Sequence, residues 1–410
     1  MTGSIIPLKC YCNNYSWGKK GRASLVARLC EKRNPDFKID DKEYAEMWMG
    51  TYPTLPSYDA RTSWPLQDVL NENSEKLIGK HALDKFGSDL PFLPKILSIA
   101  KALPLQIHPN IKLAEELHNE NPEKFTDPNH KPEIAVALSK FEAFVGFKPL
   151  DEIKDLLALE PLEQFLPSPS KTKAKSDPHF SDATLRHVIK AMLNASEQQT
   201  RTVLNKLHTI SPQKFANQAY ILKLLPRLED QYSQDDSGIL VALICMNYLI
   251  LEPGDSIFVP ADGIHAYLSG DIVECMARSN NVLNTGFCPR LDRDSVDLFV
   301  QSLTFEQHDK QSPVLKPEKS DKSLDGKTVV LRPPLSEFNM LVTEMKSGDV
   351  ERVKAIDGPS VIVIMKGSGQ LVGDGEEFEI GEGSVYFIRQ GVEIEVVARE
   401  PLAAYRAFAD

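Results

Sequence analysis

The sequence predicts a mainly β protein built from two β-barrel domains and an inserted α-helical domain. Three observations predict this class. Residues 1–150 and 237–325 contain short apolar runs interrupted by Gly, Pro and Asp, which is typical of strands joined by tight turns. Residues 151–236 instead place apolar residues three and four positions apart, as amphipathic helices do. Residues 326–410 return to the strand pattern, which indicates a second, C-terminal β domain.

In the first β region, two segments carry the strand signal. Residues 90–97 form a short apolar run, and residues 133–147 combine alternation with β-branched side chains. Gly and Pro interrupt the sequence around such runs, as expected of turns between strands. We therefore expect both segments to be strands of the N-terminal barrel.

In the region of helical spacing, residues 151–166 and 211–232 carry the clearest pattern. Ser211 followed by Pro212 predicts a helix start, because Pro is tolerated in the first helical turn. Residues 168–180 are polar, basic and contain Pro, which predicts an exposed loop. These features together predict a helical insert between two β regions.

The strand pattern returns from residue 238 onwards. Residues 250–277 alternate β-branched segments with Pro-Gly-Asp, Asp-Gly and Ser-Gly-Asp turns. Residues 381–388 repeat the pattern of residues 252–260, in which a Gly-containing turn leads into a strand. Such turns are typical of the jelly-roll barrels called cupins. We therefore expect two related cupin-type barrels, the first of them split by the helical insert.

Length, composition and charge exclude several classes of protein. A chain of 410 residues is long enough for two or three domains. Its 42% hydrophobic and 26% charged residues exclude fibrous and wholly disordered proteins. A formal charge of −11 argues against a nucleic acid partner, although one or two local cations suffice for a small anionic substrate. The longest apolar run, residues 238–251, is too short to span a bilayer, so we expect a buried helix end or strand there and no membrane partner.

The six cysteines predict free thiols in a reducing compartment. They contain no Cys-x-x-Cys pair and are too sparse to staple a chain of this length. The first ten residues lack the charged region and the long apolar core of a signal peptide. We therefore expect a cytoplasmic protein, and we expect it to be a monomer.

The pair formed by Gln106 and His108 is the first candidate for chemistry. In a strand both side chains would point to the same face, because strand side chains alternate with a period of two. Two polar groups side by side on one face suit a metal ion. Taken alone, the segment fits a hydrogen-bonded polar pair on a solvated strand better than it fits a ligand pair.

A second candidate lies in residues 129–133, where polar side chains run directly into an apolar strand. Such loop-to-strand junctions commonly present functional groups. Glu133 can complete a metal site, whereas His130 and Lys131 can transfer protons or hold an anion. A solvated turn fits the segment equally well.

The third candidate is His265, which follows an Asp-Gly turn and begins an apolar segment. This is the usual position of a metal ligand in a cupin barrel, although an isolated His in an apolar segment more often has a structural role. The three segments together supply Gln106, His108, Glu133 and His265. Ligands of this borderline hardness fit Zn²⁺, and glutamine is an unusual member of such a set.

These segments resemble the type I phosphomannose isomerases, which are zinc enzymes of the cupin superfamily. The matching segments lie in the family's order and spacing, over essentially the whole chain: residues 15–21, 44–57, 90–109, 127–138 and 260–277. The resemblance implies one zinc ion per chain, held by Gln106, His108, Glu133 and His265. It also places the catalytic cupin domain in residues 1–150 and 237–325.

The implied reaction interconverts mannose 6-phosphate and fructose 6-phosphate through an enediol and feeds GDP-mannose and glycosylation precursors. This chemistry needs a base, a proton carrier and positive charge near the developing enediolate. We expect Glu274 to be the base, with Lys131 and Lys101 supplying positive charge or carrying protons. The remaining candidates are substrate-binding or wall residues, namely Arg290, His130, Trp17, Glu46 and Trp48.

Five positions depart from the family pattern. Asn280 stands where the family has Asp, and Asn284 stands where it has the Arg regarded as catalytic. Arg290 replaces the Lys that faces the substrate phosphate, which retains the charge. Pro104 replaces a Ser, and Tyr52 replaces a His. Loss of an arginine from a site that stabilises a developing anion costs about 10²-fold or more in rate.

Two functions are compatible with this pattern. The first is an active zinc-dependent mannose 6-phosphate isomerase. The alternative is a divergent cupin paralogue with weak or no isomerase activity that binds a sugar phosphate or a protein partner. Arg278 and Arg293 lie close to Asn284 in the sequence, and either of them is a candidate to replace the missing arginine in space.

Overall fold

The computed structural model describes residues 3–167, 180–306, 308–334 and 337–409. The predicted exposed loop at 168–180 therefore lies outside the described residues, except for its last residue. The strands before the helical region are β1 (Ile5–Lys9), β2 (Tyr11–Asn13), β3 (Lys19–Lys20), β4 (Glu43–Tyr44), β5 (Glu46–Trp48), β6 (Tyr58–Asp59), β7 (Phe92–Ile99), β8 (Leu105–Ile107), β9 (Glu133–Ala137) and β10 (Phe141–Phe147). The helices among them are α1 (Leu25–Arg33), α2 (Leu66–Glu72), α3 (Ser74–Ile78), α4 (Lys80–Phe86) and α5 (Ile111–Glu120).

The helical region and the strands that follow it come next in the chain. The helices are α6 (Leu150–Leu157), α7 (Asp182–Leu193), α8 (Glu197–His208), α9 (Ile221–Gln231) and α10 (Ser237–Cys245). The strands are β11 (Met246–Leu251), β12 (Ser256–Val259), β13 (His265–Ala277) and β14 (Leu283–Gly286), and helix α11 (Val296–Ser302) follows them. Single 3₁₀ segments occupy Gly21–Ala23, Glu163–Phe165, Pro212–Gln218 and Arg290–Asp292.

The C-terminal region contains only strands among its described residues. They are β15 (Glu318–Lys319), β16 (Thr328–Leu331), β17 (Asn339–Met345), β18 (Val350–Val353), β19 (Ser360–Lys366), β20 (Ser368–Gly373), β21 (Glu376–Gly381), β22 (Val385–Ile388), β23 (Ile394–Ala398) and β24 (Leu402–Phe408). An eight-stranded sheet packs against a four-stranded sheet here. The apolar core between them includes Leu371 and Ile394 of the smaller sheet and Ile362 and Phe408 of the larger. The described residues of the C-terminal region therefore have the strand structure that their sequence pattern predicts.

A ten-stranded sheet holds the N-terminal region and β11 to β14 together. Strand β13 lies at its centre and pairs in antiparallel fashion with β7, β9 and β10. All eight residues of β7 are buried, which explains its continuous apolar run. The strands predicted at 90–97 and 133–147 are confirmed, since β7, β9 and β10 occupy these segments.

The helical insert is confirmed, but it extends further than the strand pattern predicted from residue 238. Residues Ser237–Cys245 form α10, and strands begin only at β11. Every residue of α10 is buried, because it packs among the other helices of the insert. A helix that is apolar all round has no period to distinguish it from a buried strand. The start predicted at Ser211 and Pro212 is confirmed as a 3₁₀ turn, in which Pro212 is the first residue.

The sheets do not follow the boundaries predicted from the sequence. Strand β1 pairs with β22, with Ile5 opposite Ile388, and thereby joins the C-terminal sheet. That sheet also includes β15, which precedes residue 326. Ile5 and Ile6 are fully buried by this pairing. Pairing between distant segments leaves no local signal, because each strand's pattern is the same whichever partner it takes.

The two Gly-containing turns noted in the sequence have the same local structure. Gly254 and Gly383 both have positive φ, at 94° and 82°, and each turn leads into a short buried strand, β12 or β22. All six cysteines lie in the described residues and are free thiols, as predicted. Among the described residues, none of the helices is both long and apolar enough to cross a membrane.

Candidate metal centre and substrate cavity

Three strands bring His108, Glu133 and His265 together. Strand β8 ends just before His108, β9 begins at Glu133, and β13 begins at His265. The ligand atoms of these three side chains lie within 4.8 Å of one another. Nε2 of His108 lies 3.2 Å from one Glu133 oxygen, and Nε2 of His265 lies 3.7 Å from the other. Gln106 is the strand partner of His265, and its amide nitrogen lies 3.1 Å from His265 Nε2.

Backbone carbonyls orient both imidazole rings. Nδ1 of His108 lies 2.9 Å from the Asn281 carbonyl oxygen, and Nδ1 of His265 lies 2.9 Å from that of Gly263. A carbonyl only accepts, so each Nδ1 donates a proton and each Nε2 carries the lone pair. Nε2 of His108 is buried and has no hydrogen-bond partner among the described residues. An orphaned buried lone pair that points at a carboxylate fits a metal ion between them.

The electrostatics of the cluster keep the three side chains in the protonation states in which they can bind a metal ion. Burial, with the charge of Lys131, lowers the pKa of His108 to about 3, and burial also lowers the pKa of His265. Burial alone would raise the pKa of Glu133, but the neighbouring His108, His265 and Lys131 together hold it below its usual range. The Tyr267 hydroxyl donates to the same carboxylate over 3.1 Å. Two neutral imidazoles beside one carboxylate are a donor set that binds divalent metals.

A buried ion cluster adjoins the metal-ligand cluster. In the β7–β13 register Lys95 lies opposite Glu274, and its Nζ lies 3.2 Å from a Glu274 oxygen. The same Nζ lies 4.0 Å from Glu46 and 5.1 Å from the centre of the Trp48 ring. Glu46 in turn accepts a hydrogen bond of 2.6 Å from the Trp48 indole. On the other side, Lys131 Nζ lies 3.9 Å from Glu133, so the cluster is continuous with the metal-ligand carboxylate.

The pKa values of three titratable groups in this cluster are shifted from their ordinary values. Burial, and then the charge of Glu133, raises the pKa of Glu274 above its ordinary value despite the nearby Lys95. Burial lowers the pKa of Lys131, an effect that Glu133 opposes. Burial would also lower the pKa of Lys95, but the charges of Glu46 and Glu274 outweigh it and raise that pKa. A buried carboxyl with a raised pKa beside a buried lysine is the arrangement that acid–base catalysis uses.

A cavity of about 570 Å³ opens beside these clusters. Asn284 lines it and is the strand partner of Gln106, which connects the cavity to the metal-ligand cluster. The cavity is lined by aromatic, cationic and acidic side chains together, including Trp17, Lys101, Tyr232, Asp235, Arg290 and Arg293. Lys101 lies over the Tyr232 ring at 5.3 Å. Lys101, Arg290 and Arg293 supply three cations and Asp235, Asp236 and Asp292 three carboxylates, so the cavity suits a small polar ligand.

The structure separates the residues proposed from the sequence into three groups. Glu274, Lys131 and Glu46 lie in the buried ion cluster, whereas Trp17, Lys101, Asn284 and Arg290 line the cavity. His130 lies apart from both, because its Nε2 contacts Glu337 at 2.6 Å. The geometry therefore gives His130 a partner outside the cavity.

Sequence reasoning missed Lys95 and Tyr267. A lysine inside an otherwise apolar run was the available signal for Lys95, since a buried charge needs a partner. Tyr267 follows His265 by two residues in β13 and therefore lies on the same face of the strand. No sequence pattern identified its partner, because Glu133 lies on another strand.

Comparisons with known proteins identify the family. The family model of the type I phosphomannose isomerase catalytic domain matches residues 5–150. A mannose-6-phosphate isomerase of Saccharomyces cerevisiae is 35% identical, over 100% of both chains. The one from Schizosaccharomyces pombe is 36% identical, over 98% of this chain and 99% of its own length. The chain belongs to the type I phosphomannose isomerase family.

Solved structures of phosphomannose isomerases share the fold. The apo enzyme from Salmonella typhimurium superposes with a TM-score of 0.81, at 23% identity and with full coverage of both chains. A zinc-bound mannose 6-phosphate isomerase gives a TM-score of 0.80, also at 23% identity and full coverage. The predicted class is thus confirmed, namely a mainly β fold with cupin-type barrels and a helical insert.

In this member of the family, the departures from the family pattern lie in different places. Asn284 and Pro104 line the cavity, and Oδ1 of Asn284 is buried without a hydrogen-bond partner among the described residues. Asn280 is exposed, and its backbone N–H donates to Asp127 over 2.8 Å. Tyr52 packs edge-on against Trp48 at 5.5 Å, and the Arg278 guanidinium lies 5.2 Å from its ring centre. Of the five departures, Asn284, Pro104 and Arg290 therefore change the wall of the cavity.

Proposed function

We propose that this protein is an active zinc-dependent isomerase that interconverts mannose 6-phosphate and fructose 6-phosphate. The observation that carries the proposal is the buried cluster of His108, Glu133 and His265 beside a cation-lined cavity, in a chain of this family. Gln106 completes the proposed set of four zinc ligands. When bound there, zinc supplies a Lewis acid that polarises and positions the sugar oxygens.

Glu274 is the proposed base that removes the proton from C2 of the sugar. Its side chain is buried, which keeps water away, and its raised pKa brings it closer to the pH at which a carboxylate exchanges protons efficiently. Lys95 holds the carboxylate from one side over 3.2 Å. The proton returned to C1 yields the ketose, with the enediol between the two transfers.

Lys131 is the proposed carrier of protons between the sugar oxygens and a source of positive charge. Burial lowers its pKa, which eases release of a proton from a lysine. Its ammonium lies 3.9 Å from Glu133, so it remains beside the metal-ligand cluster. Positive charge at this point stabilises the enediolate as it forms.

The cavity holds the rest of the substrate in this proposal. Lys101 and Arg290 attract its phosphate, and Trp17 forms an apolar wall for the sugar ring. Asn284 supplies a neutral amide at the wall, where it contacts substrate by hydrogen bonds and adds no charge. Glu46 keeps the indole of Trp48 and the ammonium of Lys95 in place.

A coupled assay tests the proposed function. Purified protein loaded with zinc should convert mannose 6-phosphate to fructose 6-phosphate, and a chelator should abolish the conversion. His265→Gln should lose both zinc and activity, whereas His187→Gln, at an exposed histidine of α7, should keep both. Full zinc occupancy without turnover above the uncatalysed rate would refute the proposal and favour the paralogue that binds without catalysis.

We also propose that the protein acts as a cytoplasmic monomer on a phosphosugar. Its six free cysteines are compatible with a reducing compartment. Light scattering during size-exclusion chromatography should give the mass of one chain. A dimer mass, or recovery of the protein from a membrane or secreted fraction, would contradict this part of the proposal.

A further inference from the structure

Two arginines flank a single 3₁₀ turn at the edge of the cavity. Arg290 begins the turn Arg290–Asp292, and Arg293 follows it and donates its backbone N–H to the Arg290 carbonyl over 3.2 Å. Side chains three residues apart in a 3₁₀ helix lie on the same side. Both side chains accordingly line the 570 Å³ cavity.

The two guanidinium groups are held very differently. Arg290 is 52% exposed and pairs at 3.2 Å with Glu197, which is 57% exposed. Arg293 is 17% exposed and lies 3.0 Å from Asp236, which is 2% exposed. An exposed pair such as Arg290–Glu197 constrains its members weakly, whereas a buried carboxylate fixes its partner.

Asp236 is itself fixed by the backbone. Its carboxylate accepts the N–H of Gly238 at the start of α10 over 2.8 Å and the N–H of Phe287 over 2.9 Å. Arg293 also donates through Nε and Nη2 to the Cys288 carbonyl, at 3.4 and 3.3 Å. Its Nη1 makes no hydrogen bond to a described residue. The group is therefore a pre-positioned cation with one donor nitrogen still available.

The other charges around the cavity leave Arg293 suited to an anion. Lys101 adds a third cation to the lining. Of the remaining acids in the lining, Asp235 pairs with Arg201 at 3.4 Å. Asp292 is the last residue of the 3₁₀ turn and is exposed, so water screens its charge, although it also lines the cavity.

Arg278, the other arginine near the missing one, lies elsewhere. It donates to the Thr51 hydroxyl over 3.0 Å and lies 3.4 Å from Asp89. It lines a separate cavity of about 420 Å³ that shares no residue with the one beside Asn284. Arg293 reaches the position next to Asn284 instead, because Asp294 exchanges two backbone-directed hydrogen bonds of 2.7 Å with Asn284.

We propose that Arg293 binds the phosphate group of the substrate, as the fixed half of a two-arginine clamp whose movable half is Arg290. This inference rests on the proposed function, since it names how the same cavity holds the anionic end of a sugar phosphate. Two guanidinium groups on one face match the several acceptor oxygens of a phosphate dianion. Asp236 orients the clamp and does not contact the substrate.

The test compares three variants by two measurements. Arg293→Gln removes the charge, and Arg293→Lys keeps it but loses the planar fork. Asp236→Asn combined with Arg293→Gln removes both partners of the buried pair, in case a lone Asp236 unfolds the protein. The measurements are KM for mannose 6-phosphate and the dissociation constant of inorganic phosphate by calorimetry, with and without chelator, so that phosphate bound at the metal is counted separately.

Arg293→Gln should raise both the dissociation constant of inorganic phosphate and KM for mannose 6-phosphate by about 10- to 100-fold. The change in kcat should be smaller. Arg293→Lys should change both constants less than Arg293→Gln does, because it keeps the positive charge. Arg278→Gln, which removes the same charge outside the cavity, should stay within about twofold of wild type. The clamp is refuted if the folded Arg293→Gln variant, or the double variant, binds inorganic phosphate with an affinity within twofold of wild type. It is also refuted if Arg278→Gln lowers the affinity for inorganic phosphate as much as Arg293→Gln does.

Failure of the proposed function looks different from failure of this inference. If the zinc-loaded wild type lacks turnover but binds inorganic phosphate through Arg293, the proposed isomerase activity is refuted and the clamp is supported. If the wild type is active but the Arg293 variants are unchanged in KM and in phosphate affinity, the clamp is refuted and the proposed isomerase activity is supported.

Discussion

Replacing Lys95 by methionine tests whether the buried ion cluster holds Glu274 in place. The change removes a cation that lies 3.2 Å from a Glu274 oxygen and 4.0 Å from a Glu46 oxygen, and it keeps the length of the side chain. With an effective dielectric constant of about 20, each contact is worth about 4–5 kcal/mol before desolvation is subtracted. Removing one partner of a buried pair costs about 3–5 kcal/mol net, because the other charge remains buried and unpaired.

A double-mutant cycle isolates the pair. We expect Lys95→Met to lower the free energy of unfolding by about 3–5 kcal/mol. Adding Glu274→Gln should recover about 2–3 kcal/mol, because the second change removes the carboxylate that was left unpaired. Urea unfolding of the chelated protein measures these values without a contribution from bound metal.

Lys140→Met is the matched control, since Lys140 is exposed and should change stability by less than about 0.5 kcal/mol. If the effects of Lys95→Met and Glu274→Gln simply add within about 0.5 kcal/mol, the two side chains are not coupled. The interpretation of Lys95 as the partner of Glu274 would then be wrong.

Four further outcomes are expected. The kcat/KM should rise with pH, with an apparent pKa above the ordinary range of a glutamate. Glu274 must be deprotonated to act as base, and burial together with the charge of Glu133 raises its pKa. An acid limb near pH 4 in the pH–rate profile would contradict this. Zinc should raise the Tm of the wild type but not that of Glu133→Gln in calorimetric scans, since the ion binds only a complete site; equal shifts would place the metal elsewhere. Arg406→Leu should keep or raise stability by urea unfolding, because burial lowers the pKa of Arg406 to about 9 and its Nη1 and Nη2 have no partner among the described residues; a loss above about 2 kcal/mol would reveal an unseen partner. Ser24→Ala should cost about 1 kcal/mol in the same assay, since the Ser24 hydroxyl caps α1 through the Ala27 N–H; no loss would show that the cap is replaced.

The sequence predicted the class of the fold because its signals are local. The alternation in β9 and β10 and the paired Gly turns before β12 and β22 each depend on a few neighbouring residues. The same reasoning left a buried helix end and a strand both open for residues 238–251, where the local pattern is silent. Helix α10 is apolar on every side, so its sequence could not be told from a buried strand.

The proposed site divides in the same way. The four candidate zinc ligands came from three segments whose residue types and turns already indicated metal chemistry. The acid–base partners did not, because Lys95 meets Glu274 only through the pairing of β7 with β13. A charge inside an apolar run signals that a partner exists, but it does not name the partner.

What the sequence by itself determined is the inventory: a mainly β chain with a helical insert, free cysteines and a set of ligand-type residues in a recognisable order. What only the tertiary structure decided is which of these groups meet. In the tertiary structure β1 pairs with the C-terminal sheet, and His130 contacts Glu337. Arg293 lines the same cavity as Asn284, whereas Arg278 lines a different one. The physical reason is that periodicity and turn chemistry act over a few residues, whereas strand register, buried ion pairs and cavity walls join side chains that are distant in the sequence.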